Sequence, residues 1–169
     1  MVVLGIDPGY AIVGYGGIEF YNNKYHTLGY GAILTEADRN FDARLESIFN
    51  EMNEIIDKCK PDVMAIEKLY FQNNQKTAID VAQARGVILL SARLKSVPIF
   101  EYTPLQVKTA VTGYGKAQKE QVMEMTKRLL KLEQMPKYDD TADALAIAIC
   151  HTQANGSPLR EFLSRKGLK

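Results

Sequence analysis

Two apolar runs in this chain of 169 residues end on an acid: "VVLGID" on Asp7 and "VMAIE" on Glu67. An ionised carboxylate at the end of a buried strand is costly unless it has a partner. A third group of acids lies in "YDDTADALA". Asp140 and Asp143 are three residues apart and share a helix face, and Asp139 and Asp143, four apart, do so equally well. Spacing alone leaves both pairs open. Taken singly, each acid has a plain structural explanation, as a turn former, a surface residue or a helix N-terminal acid. Together, and without a His or Cys cluster, they form the donor set of a hard cation with oxygen ligands, Mg²⁺ or Mn²⁺. Two such ions about 3.5–4 Å apart are the usual arrangement for phosphodiester cleavage.

The elements that would position these acids follow from the pattern. "VVLGID" reads as a strand buried on both faces. "IVGYGGIEFY" and "YHTLGYGAIL" read as two further strands with "NNK" as the turn between them. "ARLESIFNEMNEIIDKCK" places Leu45, Ile48, Phe49, Met52, Ile55 and Ile56 at helical spacing, and Pro61 closes it. "KTAIDVAQARGVILLSARLK" is a long helix, "PIFEY" a short strand, and "TPLQVKTAVTG" a helix with a Thr cap and Pro at its first position. "KAQKEQVMEMTKRLLKL" and "DDTADALAIAICHTQ" are the last helices. A hairpin followed by strands alternating with helices predicts one α/β domain with a central mixed five-stranded sheet flanked by helices. The domain is expected to span residues 1–157, with residues 158–169 a mobile basic tail. Parallel neighbours would bring Asp7 and Glu67 to one sheet edge, where α/β ligand sites lie.

Bulk properties narrow the partners. The formal net charge of +1 hides an asymmetry. Residues 1–67 hold 5 Lys+Arg against 11 Asp+Glu, residues 68–131 hold 11 against 4, and residues 132–169 hold 5 of each. A basic middle segment in a near-neutral chain suggests a polyanion on one face. No apolar run approaches the roughly 18 residues of a membrane span, and no secretory leader is read at the N-terminus. Cys59 and Cys150 have no metal-type spacing and read as buried thiols of a cytoplasmic protein. His26 reads as a hairpin surface residue and His151 as structural.

The blocks "GIDPG", "AIEKLYFQNN", "AQARGV", "PLQVKTAVTGYGKAQKEQV" and "DDTADALAIAICH" resemble, in order and over Val3 to about His151, the RuvC family of Holliday junction resolvases in the RNase H-like superfamily. The resemblance implies an RNase H-like fold and a structure-selective endonuclease. Such an enzyme nicks four-way DNA junctions in symmetric pairs during recombination and repair, leaving a 5′-phosphate and a 3′-hydroxyl. It implies a homodimer that works with divalent metal, two Mg²⁺ per site with Mn²⁺ able to substitute, and with the branch-migration proteins RuvA and RuvB. Its acidic tetrad maps onto Asp7, Glu67, Asp140 and Asp143, and the family form D-x-x-D-A-L-A selects Asp140 over Asp139. Family lysines match Lys108 and Lys119, which would contact phosphates. A family aromatic after the second acid matches Tyr70, with Phe71 next to it, and either ring could stack on an unpaired base. The helix "DVAQARGVILLSARLK" is the candidate dimer surface, against burial on its own sheet. Two other readings stand beside this one. Gly5, Gly9, Gly14 and Gly16 are similar to the phosphate-binding turn of the actin–hexokinase ATPase fold, although such ATPases need two domains. A non-cleaving RNase H-like DNA-binding module is the other, against which the full tetrad argues.

Overall fold

The computed structural model describes residues 1–69 and 75–155. Tyr70, Phe71 and the tail from residue 158 lie outside the described residues. Among the described residues, five strands form one sheet: β1 (Val2–Asp7), β2 (Ile12–Tyr21), β3 (Lys24–Leu34), β4 (Val63–Glu67) and β5 (Ile99–Tyr102), in the spatial order β3-β2-β1-β4-β5. β1–β2 and β2–β3 pair antiparallel, β1–β4 and β4–β5 parallel, which is the mixed sheet expected. The β2–β3 turn is tighter than "NNK". Asn22 and Asn23 both adopt positive φ (49° and 57°), a two-residue turn whose twist suits a hairpin, so Lys24 already belongs to β3.

Among the described residues, five helices cover the sheet: α1 (Phe41–Cys59), α2 (Gln75–Leu94), α3 (Pro104–Thr112), α4 (Lys119–Leu130) and α5 (Asp139–Asn155). Strand alternation assigns them to two layers. Leu4, Ile6, Met64 and Ile66 pack with Ile48, Met52 and Ile56 of α1 and with Ala84, Ile88 and Ala92 of α2. Val3 and Ala65, on the other face, pack with α3, α4 and α5. Each fully buried Ile or Leu contributes about 1.5–3 kcal/mol, so both layers are firmly held. α5 is buried almost all round between Thr141 and Thr152, because the sheet lies under it and α3 and α4 lie over it. That burial is why "ALAIAIC" is a continuous apolar run rather than an amphipathic one.

Two helix starts show how local chemistry sets the boundaries. Thr103 and Gln106 form a reciprocal capping box ahead of Pro104, as the Thr-Pro pair predicts. α4 begins three residues later than its sequence pattern suggests, because Gln118 and Gln121 form a second box that excludes Lys116 and Ala117 from the helix. His26 is exposed. His151 is fully buried, with its Nδ1 2.8 Å from the Tyr102 hydroxyl, a structural place as the sequence suggested.

Candidate active site

The same alternation that builds the core aims the acids. On β1, Val3 and Gly5 face α5, so Asp7 faces α5 as well. On β4, Val63 and Ala65 face α5, and so does Glu67. The parallel register runs Val3↔Val63 to Ile6↔Ile66, so Asp7 and Glu67 are the next residues on two adjacent strands at one sheet edge. α5 starts at that edge. Its first turns bring Asp140 and Asp143 over Asp7, held there by two features. The Thr141 hydroxyl donates to the Gly31 carbonyl of β3 (2.9 Å). Gly14 and Gly5 carry no side chain where α5 crosses them. A Cβ on Gly14 would collide with the Asp140 carbonyl, and one on Gly5 with the Ala144 carbonyl. Gly14 is the cross-strand partner of Asp7. These glycines, which resembled a phosphate-binding turn, are the floor on which the acid-bearing helix lies.

The electrostatics follow from this proximity. Asp7 is held well above the usual carboxylate range, first by burial and then by the charges of Glu67, Asp143 and Asp140, with Lys119 opposing. Glu67 is raised by burial and by Asp143. Asp143 is raised by burial, which outweighs the nearby Lys119. Asp140 is among the charges that raise Asp7. Asp139 has another position. The Lys119 ammonium lies 3.2 Å from Asp139 and 3.3 Å from Asp143. Burial works against its charge, but these two carboxylates outweigh it and hold it above the ordinary lysine value. Nothing in the residue pattern marks the Lys119–Asp139 pair, because the fold alone joins the two residues.

Lys108 lies on the same cleft. A cavity of about 220 Å³ is lined by Glu67, Lys108, Lys119 and Asp143 over an apolar floor that includes Val107 and Ile147. A larger groove of about 930 Å³ runs between β3 and the end of α4, lined among others by Tyr25, Tyr30 and Leu132, and holds none of the four acids. The chemistry therefore belongs to the smaller cleft. Among the described residues, no three His, Cys, Asp or Glu side chains are arranged as a ready cage for a metal ion. The donor set nevertheless fits a divalent cation in kind: all oxygen, all carboxylate, and short of positive charge, with Lys119 opposing the rise of Asp7.

Comparison with known proteins finds close relatives of the whole domain. The sequence model of one family, described as "Crossover junction endodeoxyribonuclease RuvC", matches residues 3–151. The chain is 57% identical over 151 residues to the crossover junction endodeoxyribonuclease RuvC of Halothermothrix orenii, covering 89% of this chain and 92% of that protein. It is 53% identical over 164 residues to the protein of the same name from Brevibacillus brevis, covering 97% and 96%. Its fold matches the structure of T. thermophilus RuvC in complex with a Holliday junction substrate with a TM-score of 0.85 and 34% identity, over 90% of this chain and 93% of that one.

Proposed function

The chain belongs to the RuvC family of crossover junction endodeoxyribonucleases, and from that premise we propose how its carboxylates and lysines resolve a four-way DNA junction. It is a Holliday junction resolvase, a nuclease of a metal-dependent family that hydrolyses DNA. The convergence of Asp7, Glu67, Asp140 and Asp143 at one sheet edge is the observation that carries the mechanism. These four residues would hold Mg²⁺, two ions per site, with Mn²⁺ able to replace it. Bound there, the metal supplies an activated water and neutralises charge on the leaving oxygen. The carboxylates set the position of the scissile phosphate. Lys108 and Lys119 hold the flanking phosphates and offset repulsion between DNA and the acids. The free thiols of Cys59 and Cys150 suit a cytoplasmic protein, and that location and work alongside RuvA and RuvB are part of the same proposal. The test is to incubate the protein and Mg²⁺ with a synthetic four-way junction and with plain duplex. Paired nicks in the junction and an intact duplex are expected. Equal cutting of both, or ATP hydrolysis in place of cutting, would contradict it.

Lys119→Ala is expected to slow cleavage of every junction sequence without changing which sequence is preferred, because a phosphate contact carries no base information. The slope of log affinity against log salt should fall by about one unit for one lost contact. A changed preference with an unchanged slope would make Lys119 a base reader.

A four-way junction is close to two-fold symmetric, and the described residues carry one such acid cluster, so paired cuts call for two chains. α2 supplies a surface for that. Its inner face is buried at Ala84, Ile88 and Ala92, while Ile79, Leu90 and Leu94 on the outer face are 66%, 51% and 63% exposed. Gly86 stands between them with open space above it. Spacings of seven, four and four residues place these on one stripe. Leu90→Glu should leave the fold intact, since the site is exposed, but convert a dimer to a monomer in sedimentation and abolish paired cutting. A parent-like dimer carrying this substitution would move the interface elsewhere.

A further inference from the structure

The segment that follows Asp7 is held from outside by an arginine that takes no part in the acid cluster. Arg44, on the first turn of α1, is 8% exposed. Its Nε donates to the Thr35 hydroxyl (2.9 Å), and its Nη2 lies 3.4 Å from the Tyr10 carbonyl. The Thr35 hydroxyl in turn donates to that carbonyl (2.6 Å), and the Thr35 amide donates to the Ala11 carbonyl (3.0 Å). The guanidinium also stands over the Tyr10 ring, 4.6 Å from its centroid. Among the described residues no carboxylate pairs with Arg44. A buried charge held only by neutral groups is an expensive way to pack a helix. Among the described residues, its side-chain hydrogen bonds and ring contact fall on Tyr10 and on Thr35, which is bonded to Tyr10 and Ala11.

Topology shows what that point controls. β3 runs parallel to β1, since two antiparallel steps separate them, so the end of β3 and Thr35 lie at the same sheet edge as Asp7. Asp7 is the last residue of β1, and its ladder partner Gly14 is near the start of β2. The four residues between the strands, Pro8 to Ala11, make the turn on which the placement of Asp7 depends. Gly9 already packs against the Ile12 backbone so closely that a Cβ would collide with it. Arg44 and Thr35 fix the other side of the same turn.

We infer that Arg44 is a positioning residue that, through Thr35 and Tyr10, fixes the turn after Asp7 and so sets the affinity of the acid cluster for its divalent cation. This rests on the nuclease reading above and adds to it a residue 37 positions from Asp7 and 23 from Glu67. Groups that orient metal ligands from outside the coordination sphere typically change metal affinity 10–100-fold when removed.

The test uses Arg44→Met, which keeps length and apolar bulk, and Thr35→Val, which keeps shape but removes the shared hydroxyl. Mn²⁺ binding is measured by calorimetry on the DNA-free protein, and junction cleavage is measured across a Mn²⁺ series well below the melting temperature. About tenfold weaker Mn²⁺ binding is expected for both variants, with cleavage lost at limiting Mn²⁺ and largely recovered at saturating Mn²⁺. Junction affinity without metal should be unchanged. A lowered melting temperature with parent Mn²⁺ affinity and a parent metal curve would make Arg44 a stabilising residue only and overturn the inference. If Arg44→Met does not fold, Thr35→Val alone decides between these outcomes. Absence of junction cutting by the parent protein would instead overturn the nuclease reading, which separates the two failures.

Discussion

Asp7→Asn binds a four-way junction as the parent does and cuts it slower by on the order of a thousandfold or more. The amide keeps the shape of the side chain and removes the charge that holds the cation. The same change should stabilise the metal-free fold at neutral pH. Asp7, Glu67 and Asp143 all have raised carboxyl values in the folded chain. A group raised on folding contributes its stability below the unfolded value and loses it as pH rises through the folded value. The metal-free parent should therefore lose stability from the ordinary carboxylate range upward, and Asp7→Asn should lose less. Added Mg²⁺ should raise the parent's melting temperature and raise that of Asp7→Asn little. Melting curves with and without Mg²⁺ at several pH values check this. A parent-like cutting rate in Asp7→Asn, or an unchanged response to Mg²⁺, would remove Asp7 from the site.

Gly14→Ala is expected to be nearly as damaging, although it changes no charge. The added methyl group would overlap the backbone of Asp140, which has α5 behind it and cannot yield as a flexible side chain would. Forcing extra volume into a packed interior costs about 1–3 kcal/mol or more. The relief available is a shift of the start of α5, which carries Asp140 and Asp143 away from Asp7. A misplacement of about 1 Å costs roughly a hundredfold in rate, so cleavage should fall by that factor even at temperatures where the protein stays folded. Gly29→Ala is the control: it lies in β3 with nothing within 4 Å of the added atom and should melt and cut like the parent. Equal behaviour of the two variants would show that close approach at Gly14 does not set the acid geometry.

Much of this site was legible in the sequence because period-two alternation is rigid. Once "VVLGID" and "VMAIE" are parallel neighbours buried on both faces, Asp7 and Glu67 must face the same way. The third contributor was half legible. Spacing left Asp139 and Asp140 equivalent, and the packing of α5 across Gly14 places Asp140 toward Asp7 and leaves Asp139 to Lys119. Gly5 and Gly14 were read as similar to a phosphate-binding turn and matter for their missing side chains, a distinction that depends on which helix crosses them. Arg44 was invisible for a related reason: nothing in "DARLES" marks an arginine as buried, and its partners Thr35 and Tyr10 come from two other segments. Of the helix "DVAQARGVILLSARLK", one face is buried on α1 and the sheet, as one of its two expected fates requires, and the other carries an exposed apolar stripe.

The central claim is that one acid cluster per chain makes one nick and that two chains together resolve the junction. The measurement that tests it most directly uses a supercoiled plasmid carrying a four-way junction, cut by a mixed dimer of one parent chain and one Asp7→Asn chain. The parent dimer should give linear plasmid, the mixed dimer nicked circles, and the doubly substituted dimer neither. Linear product from the mixed dimer at the parent rate, or paired cutting by a monomer, would contradict the account.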